Sequence, residues 1–301
     1  MFSKKINTII GIAFAVSFFI MGCATLNKIN RDLVGPGHTL KKKIVILPFK
    51  DLTGSNDNML GTAAKILFRD TLNEHCKAII VENDERDRHL EDMAKLDSGA
   101  TDPVKQNRVA RALGLNAILT GTLLDITIAE TKEDVSVIED TLPAAFLDLE
   151  VNLYDVETNA VLLSEFVKAT VNISDLDRTI PSDQQGYDSR IAKKMLQAAA
   201  FQLIDKICTV MEEEPWKGYV ISCENSVEIS AGSDVGLRKG DVLEVLGCER
   251  PIEGNTGKCY LISGAKVGEI KIEKLFQHTA VAEVISGAAL DKSNCVKLKS
   301  E

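Results

Sequence analysis

The side chains of this 301-residue sequence whose positions most directly suggest chemistry are its seven cysteines. Six of them follow the first 23 residues, and an even number in an exported protein indicates disulfides. Cys248 and Cys259 are the favoured pair, because they flank a loop rich in Pro, Gly and Asn whose ends a hairpin would bring together. The alternative is that the thiols are free and buried, where cysteine behaves as a small hydrophobic residue. The six are Cys76, Cys208, Cys223, Cys248, Cys259 and Cys295.

Three other groups of residues fall short of a binding site. Gly257-Lys258 suggests a phosphate loop, but Ile252 stands where a glycine is needed and Cys259 replaces the Ser or Thr that would hold magnesium. The aspartates within 175–183 lack the glycine and the terminal Glu of a calcium loop. His75 has no partner at helical spacing and fits a helix end, where its charge is favourable. The sequence therefore predicts no catalytic site, no metal and no cofactor, and the protein is predicted not to be an enzyme.

The first 23 residues have the order of an export signal. Two lysines precede an apolar stretch over 9–21, which is too short to span a membrane, since a spanning helix needs about 20 apolar residues. The segment that ends it, Ile20-Met21-Gly22-Cys23, resembles the bacterial lipobox, in which the Cys thiol is lipidated and the chain is cut just before it. We therefore expect a signal peptide over 1–22 and a lipid anchor on Cys23. The alternative is a plain signal peptide with an incidental cysteine.

The residues after Cys23 bear on where the anchor is placed. Ala24 follows the cysteine, and by resemblance to enterobacterial lipoproteins the absence of Asp there implies sorting to the outer membrane. Acyl chains attach a protein to a membrane without a spanning segment, so the body would stay in water. Residues 23–42 lack hydrophobic periodicity and contain Gly35-Pro36-Gly37, which predicts a short tether. We expect an outer-membrane protein whose body faces the periplasm.

Composition places the rest of the chain among folded proteins. Apolar residues make up 45% and charged residues 26%, which is typical of a globular protein and not of a disordered one. The formal net charge of −9 argues against binding to nucleic acid, which depends on a basic surface. The length favours two modest domains, each able to bury its own core.

Residues 43–212 predict an α+β domain with a mixed sheet. The β-branched run that begins at Lys43 is typical of a central strand buried on both faces, while residues 146–156 alternate apolar with polar side chains, as half-buried antiparallel strands do. Glu157-Thr158-Asn159 predicts a hairpin turn. The remaining predicted elements are helices over 59–74, 103–113 and 187–211 and strands over 78–81, 116–128 and 161–173.

Four segments of this domain carry a family resemblance. They are Ile46-Leu47-Pro48-Phe49, Asp51-Leu52-Thr53-Gly54, residues 112–122 (ALGLNAILTGT) and residues 151–158 (VNLYDVET). In this order, after a lipobox, they are similar to the signature segments of the curli-secretion lipoprotein family, CsgG-like, and the similarity spans most of 43–210. The resemblance implies the family's α+β fold and an oligomeric outer-membrane secretion pore, to which each subunit gives two membrane-spanning hairpins.

The sequence departs from the family where those hairpins should lie. Each needs two strands of about 9 to 11 residues with an apolar outer face. Residues 129–140 and 174–188 are instead short, polar and acidic. Charged side chains that face lipid cost about 2 to 4 kcal/mol each near the bilayer midplane. We therefore expect that the pore function does not transfer to this chain.

Residues 215–301 predict a second domain, a small all-β barrel or roll. Short strands recur between turn residues such as Lys239-Gly240-Asp241. Residues 227–245 and Val267-Gly268-Glu269-Ile270 are similar to the C-terminal domain of the flagellar assembly protein T family. That resemblance implies an adaptor barrel of an envelope protein and does not identify a flagellar role.

Together these features predict a non-enzymatic outer-membrane lipoprotein that serves as an accessory in assembly or secretion of envelope structures. Its expected partners are the membrane, through the lipid on Cys23, and other envelope proteins, with a homo-oligomer left open. One alternative is an oligomeric secretion pore of the CsgG type. Another is a regulator of a cell-wall enzyme, for which the tether is short, since residues 24–42 span at most about 65 Å.

Overall fold

The sheet of the first domain is built around strand β1 (Lys43–Ile46), whose four residues are all buried. The structure is a computed structural model. It describes residues 39–54, 59–82, 110–132, 141–173, 189–224, 226–248, 252–253, 259–260, 262–287, 290–292 and 294–299. β1 runs parallel to β3 (Ile79–Ile80) on one side and to β4 (Ala117–Lys132) on the other. The predicted central strand is confirmed.

An antiparallel meander completes this sheet. β4 pairs along its length with β5 (Thr141–Asp155), and β5 pairs with β6 (Val161–Asn172), which gives the order β3-β1-β4-β5-β6. The short β2 (Lys50–Asp51) adds to β4 in parallel. The turn between β5 and β6 contains Asn159 at φ 60°, a left-handed conformation that asparagine tolerates better than most residues. The sheet is mixed, as predicted.

Two described helices cover one face of the sheet. They are α1 (Met59–His75) and α2 (Ser189–Glu213). Within the predicted helix over 187–211, α2 buries an apolar stripe at helical spacing: Ile191, Met195, Leu196, Ala199, Leu203 and Ile207. These side chains share a core with the alternating apolar positions of β5, which face the helices. In the part of the chain that the structure describes, no helix is long and apolar enough to cross a membrane.

The C-terminal part folds into a closed six-stranded antiparallel barrel, in agreement with the predicted α+β class. Its strand order is β12-β13-β8-β7-β14-β9, and β9 pairs with β12 to close it. The strands are β7 (Gly218–Ser222), β8 (Val227–Ile229), β9 (Val242–Cys248), β12 (Ser263–Leu275), β13 (Ala280–Gly287) and β14 (Cys295–Leu298). A small hairpin, β10 (Ile252–Glu253) with β11 (Cys259–Tyr260), extends from it.

The barrel packs on the face of the sheet opposite the helices. Val45 and Leu47 alternate with the helix-facing residues of β1, and both are buried in one cluster with Tyr219 and Leu246 of the barrel. Gly114 of the sheet domain lies close to the barrel backbone, and a side chain at this position would collide with the carbonyl of Ser230. Residues Leu40–Glu301 form one compact unit.

Several predicted features lie outside the described residues. They include the signal peptide, Cys23, most of the tether, and the predicted helix over 103–113 before residue 110. Of the two segments compared with pore hairpins, residues 133–140 and 174–188 are also outside. β4 and β5 are paired up to Lys132 and Thr141, so residues 129–132, the described part of the first segment, belong to β4.

Candidate functional site

The two parts of the body meet around a buried group of charges. Lys217 immediately precedes β7, and its Nζ lies 2.8 Å from Asp155 Oδ1 at the end of β5 and 2.9 Å from Glu157 Oε2 in the following turn. The exposed fractions of these three side chains are 7%, 5% and 4%. One barrel lysine therefore closes on two carboxylates of the sheet domain, away from water.

The turn after β5 is shaped to hold these carboxylates. Asp155 Oδ2 accepts hydrogen bonds from the backbone N–H of Thr158 at 2.8 Å and from its hydroxyl at 2.6 Å. Aspartate at the first position of a turn commonly accepts such bonds, so the sequence Asp155-Val-Glu-Thr favours this geometry locally. Glu157 Oε1 accepts a hydrogen bond from Cys295 Sγ on β14, at 2.9 Å.

The surroundings change the ionisation of the group. Burial lowers the pKa of Lys217, but the charges of Asp155 and Glu157 outweigh burial, and the net shift is upward. Burial, reinforced by the charge of Glu157, raises the pKa of the Cys295 thiol far above its ordinary value. Lys217 is therefore held as a cation, while Cys295 is held as a neutral thiol and is a poor nucleophile.

Tyr219 lies beside the ion pairs and is fully buried. Its ring stacks under the guanidinium of Arg111, whose central carbon lies 5.4 Å from the ring centroid. Burial and then the nearby carboxylates of Asp155 and Glu157 raise the pKa of the phenol well above its ordinary value. Among the described residues its hydroxyl has no hydrogen-bond partner. The tyrosine therefore contributes packing and a cation–π contact, and its hydroxyl is held neutral.

A second set of polar contacts joins the same two parts. The Asn116 side chain accepts from the backbone N–H of Lys43 at 2.9 Å and donates to the carbonyl of Lys217 at 2.8 Å. Lys43 Nζ lies 3.0 Å from Asp234, which also contacts His278 Nδ1 at 2.8 Å. The contact of Asn116 with Lys217 and that of Lys43 with Asp234 link the sheet domain to the barrel or to the segment before it. The cluster of Lys217, Asp155, Glu157, Tyr219, Arg111 and Cys295, with Asn116, is called the junction below.

The ion pairs of the junction hold the two parts together. The charges of Lys217, Asp155 and Glu157 are paired with one another and buried, which is the arrangement expected of ionic groups that stabilise one packing geometry. Within the described residues, no group of three or more His, Cys, Asp or Glu side chains is placed to hold a metal ion. The sequence places the boundary between the two predicted domains at 212–215, just before Lys217. No periodicity or motif marks a lysine that pairs with a residue 62 positions away, so Lys217 was not predicted to be part of a site.

A disulfide joins the two helices. Cys76, just after α1, is bonded to Cys208 of α2, with a Cα–Cα distance of 5.3 Å and a sequence separation of 132 residues. The expectation of a disulfide is thus met by a pair that the sequence left unassigned. No local pattern reports contacts over such a separation. Cys223 is a partly exposed free thiol and Cys295 a buried one.

The favoured pair of cysteines stays a prediction. The backbone pairs Cys248 with Ser263 and Cys259 with Glu253, while the side chains of both cysteines lie outside what the structure describes. The lipidation site Cys23 also lies outside the described residues.

Comparisons with known proteins give structural likenesses only. No family model matches the sequence, and no curated protein matches it. The chain is similar to the solved structure of the hypothetical protein CT253 from Chlamydia trachomatis, at 14% identity and a TM-score of 0.41, over 57% of this chain and 98% of that one. It is also similar to the lipoprotein GNA1162 from Neisseria meningitidis, at 12% identity and a TM-score of 0.34, over 55% and 99% of the two chains.

A third similar structure is the PelC dodecamer from Paraburkholderia phytofirmans, at 19% identity and a TM-score of 0.31, over 56% of this chain and 91% of that one. Each of these three proteins is matched over nearly its whole length, whereas little more than half of this chain is matched.

Proposed function

We propose that this protein is a non-enzymatic lipoprotein of the outer membrane, held by lipid on Cys23 and facing the periplasm, that serves as an accessory in assembly or secretion of envelope structures. The observation that carries the proposal is the disulfide between Cys76 and Cys208. Disulfides persist in oxidising compartments such as the periplasm and are rare in the bacterial cytosol. This agrees with the export signal predicted from residues 1–23, on which it does not depend.

The junction supports the non-enzymatic part of the proposal. A catalytic acid, base or nucleophile must reach the substrate, directly or through one water. Lys217, Asp155 and Glu157 are each less than a tenth exposed, and they are engaged with one another and with the turn that carries them. Their arrangement instead holds a sheet domain and a barrel in one orientation, as suits a protein that presents surfaces to partners.

The resemblance of residues 43–210 to the CsgG-like family adds support for a role in envelope secretion or assembly. It also raises the pore as the competing function. A pore and an accessory differ in one physical property of the mature chain without its lipid. The accessory needs no detergent and conducts no ions, whereas a pore inserts into bilayers.

Two experiments with the mature full-length chain test the proposal. In the first, Cys23→Ser protein purified without detergent is added to planar bilayers of outer-membrane lipid. We expect a soluble protein and no conductance above that of buffer, because residues 129–140 and 174–188 carry charges that lipid would have to bury. Stable channels would overturn the accessory function in favour of the pore.

For the second, a photoreactive amino acid is placed in the lipidated protein in its own host, at the exposed Ile285 of β13. The control position is the buried Leu149 of β5. An accessory should form cross-links at Ile285, and none at Leu149, to a defined protein of the envelope that is recovered again when the label is placed on that protein. Cross-links to cytosolic proteins would reject the proposal.

A further inference from the structure

Strand β6 forms a long edge of the sheet. It ends the strand order β3-β1-β4-β5-β6, and among the described residues it pairs with β5 alone. It is 12 residues long, and its pairing with β5 is regular from Leu163 to Asn172. It contains no proline and no bulge over that stretch. Long regular edges are usually blunted by such devices, because an unpaired edge is a template for another strand.

The register shows which backbone groups point away from the sheet. The N–H of Ile173 donates to the carbonyl of Pro143, which marks this pair as hydrogen-bonded. In an antiparallel ladder hydrogen-bonded pairs alternate with non-bonded pairs. From Leu163 onward the odd-numbered residues of β6 therefore bond to β5, and the even-numbered residues from Ser164 to Asn172 direct their N–H and C=O groups to the free edge.

The side chains of the same outward residues are also exposed. Phe166 is 60% exposed and Lys168 is 57% exposed, on the face of the sheet opposite α2. Within the chain, Lys168 Nζ lies 3.6 Å from Asp148 Oδ1 and 5.4 Å from the centroid of the Phe146 ring, both on β5. The intervening residues Val167 and Ala169 are buried in the core beneath α2. The edge thus offers hydrogen-bonding groups, an unburied aromatic ring and a cation within one short stretch.

We infer that this edge binds β6 of a second copy of the chain, antiparallel and about a two-fold axis at Val167. In a two-fold antiparallel pair, each outward-pointing residue of one copy must lie opposite an outward-pointing residue of the other. Because the outward-pointing residues are all even-numbered, the axis passes through a residue position and not between two residues. An axis at Lys168 would set lysine against lysine, and an axis at Glu165 would set glutamate against glutamate. Like charges directly opposite one another destabilise a sheet.

Compared with an axis at Phe166, an axis at Val167 places the outward-pointing side chains of the two copies opposite more favourable partners. It sets Phe166 of each chain opposite Lys168 of the other, so that a cation faces an aromatic ring twice across the axis. It also aligns the strand from Ser164 to Thr170 with itself, so that every outward backbone group in that stretch finds a partner. An axis at Phe166 stacks the two rings but leaves each Lys168 opposite Ser164. The self-complementary pattern therefore favours a second copy over an unrelated strand.

The test uses the mature full-length chain with Cys23→Ser, studied by sedimentation equilibrium over a wide range of concentrations. We expect a reversible dimer. Phe166→Lys should weaken dimerisation at least tenfold, because it sets lysine opposite lysine in both copies. The double variant Phe166→Lys with Lys168→Gln should restore it, because each new lysine then faces a neutral amide, and an amide at position 168 places no like charge opposite Asp148 of β5 in the same chain. Phe201→Lys, which changes a similarly exposed ring on α2, should leave the dimer unchanged.

Each outcome decides the matter. Recovery of the dimer in the double variant also shows that Phe166→Lys alone did not act by unfolding the chain. A parent chain that is monomeric at every concentration, or a dimer that tolerates Phe166→Lys, would overturn the inference. A double variant that stays monomeric while it unfolds at the same denaturant concentration as the parent would overturn the axis at Val167.

Discussion

Lys217 carries the two buried ion pairs between the barrel and the sheet domain. Its ammonium group pairs with both Asp155 and Glu157, and the free energy of this arrangement lies mainly in avoiding unpaired buried charge. Removing the lysine leaves two carboxylates close together in a dry environment. Removing an exposed partner elsewhere has no such consequence, because water replaces the lost contact.

We predict that Lys217→Met lowers the free energy of unfolding by about 3 to 5 kcal/mol, measured by chemical denaturation at neutral pH. The matched control is Lys206→Met, which breaks an ion pair with Glu165 whose lysine is 54% exposed and should cost less than about 1 kcal/mol. Equal effects of the two substitutions would show that the junction contributes no more than a surface ion pair.

The same lysine predicts a pH dependence. Its pKa is higher in the folded chain than in the unfolded chain, so its stabilisation is complete at neutral pH and is lost as the pH rises through the folded pKa. Stability should therefore fall in the alkaline range, and Lys217→Met should remove that part of the fall.

Replacing Tyr219, unlike replacing Lys217, should not lower the stability of the protein. Its hydroxyl is buried and has no hydrogen-bond partner among the described residues, so the folded chain gains little from it. Leaving such a group unsatisfied costs about 1 to 3 kcal/mol. Tyr219→Phe should keep the ring over which Arg111 lies and leave stability unchanged or raised. A clear loss of stability in thermal unfolding would mean that the hydroxyl is bonded within the native protein.

At the scale of elements, the disulfide fastens α1 to α2. Closing so long a loop restricts the unfolded chain, and loss of a native disulfide typically costs about 2 to 5 kcal/mol. Cys76→Ala with Cys208→Ala should lower the denaturation midpoint accordingly. Cys223→Ala, at a partly exposed free thiol, should leave the midpoint unchanged. If the double variant unfolds at the same denaturant concentration as the parent, the bond is not part of the native protein.

Peptide mapping of exported protein without reduction tests both cysteine pairs at once. We expect one cross-linked peptide from Cys76 with Cys208 and another from Cys248 with Cys259, because the compartment is oxidising. Finding Cys248 and Cys259 both open to alkylation would reject the second pair without affecting the first.

The elements themselves could be predicted from local pattern. β5 alternates apolar and polar residues from Leu147 to Leu153, and the apolar residues of α2 repeat at helical spacing, so both elements could be predicted from the sequence. The partner of Cys76 was not accessible, since it lies 132 residues away and periodicity reports only neighbours. The edge position of β6 also follows from the pairing order and not from its own sequence.

At the scale of the whole molecule, the sequence predicts the α+β class with a small barrel but not how the barrel and the sheet are joined. The polar residues that join them lie near the predicted boundary and the predicted turn, where Lys217 and Glu157 resemble ordinary exposed charges. Their burial depends on the barrel packing against the sheet, which only the assembled structure shows.

The proposed lipid anchor and outer-membrane location are tested most directly by locating the protein in a Gram-negative host. The host should be one that sorts lipoproteins by the residue after the cysteine. Membranes are separated by density and washed with high salt. We predict that the parent protein stays with the outer membrane and that Ala24→Asp moves it to the inner membrane. Cys23→Ser should leave a soluble periplasmic protein, because attachment rests on the acyl chains of that one residue. If the Cys23→Ser protein stays with the outer membrane after the salt wash, the anchor lies elsewhere and the account is wrong.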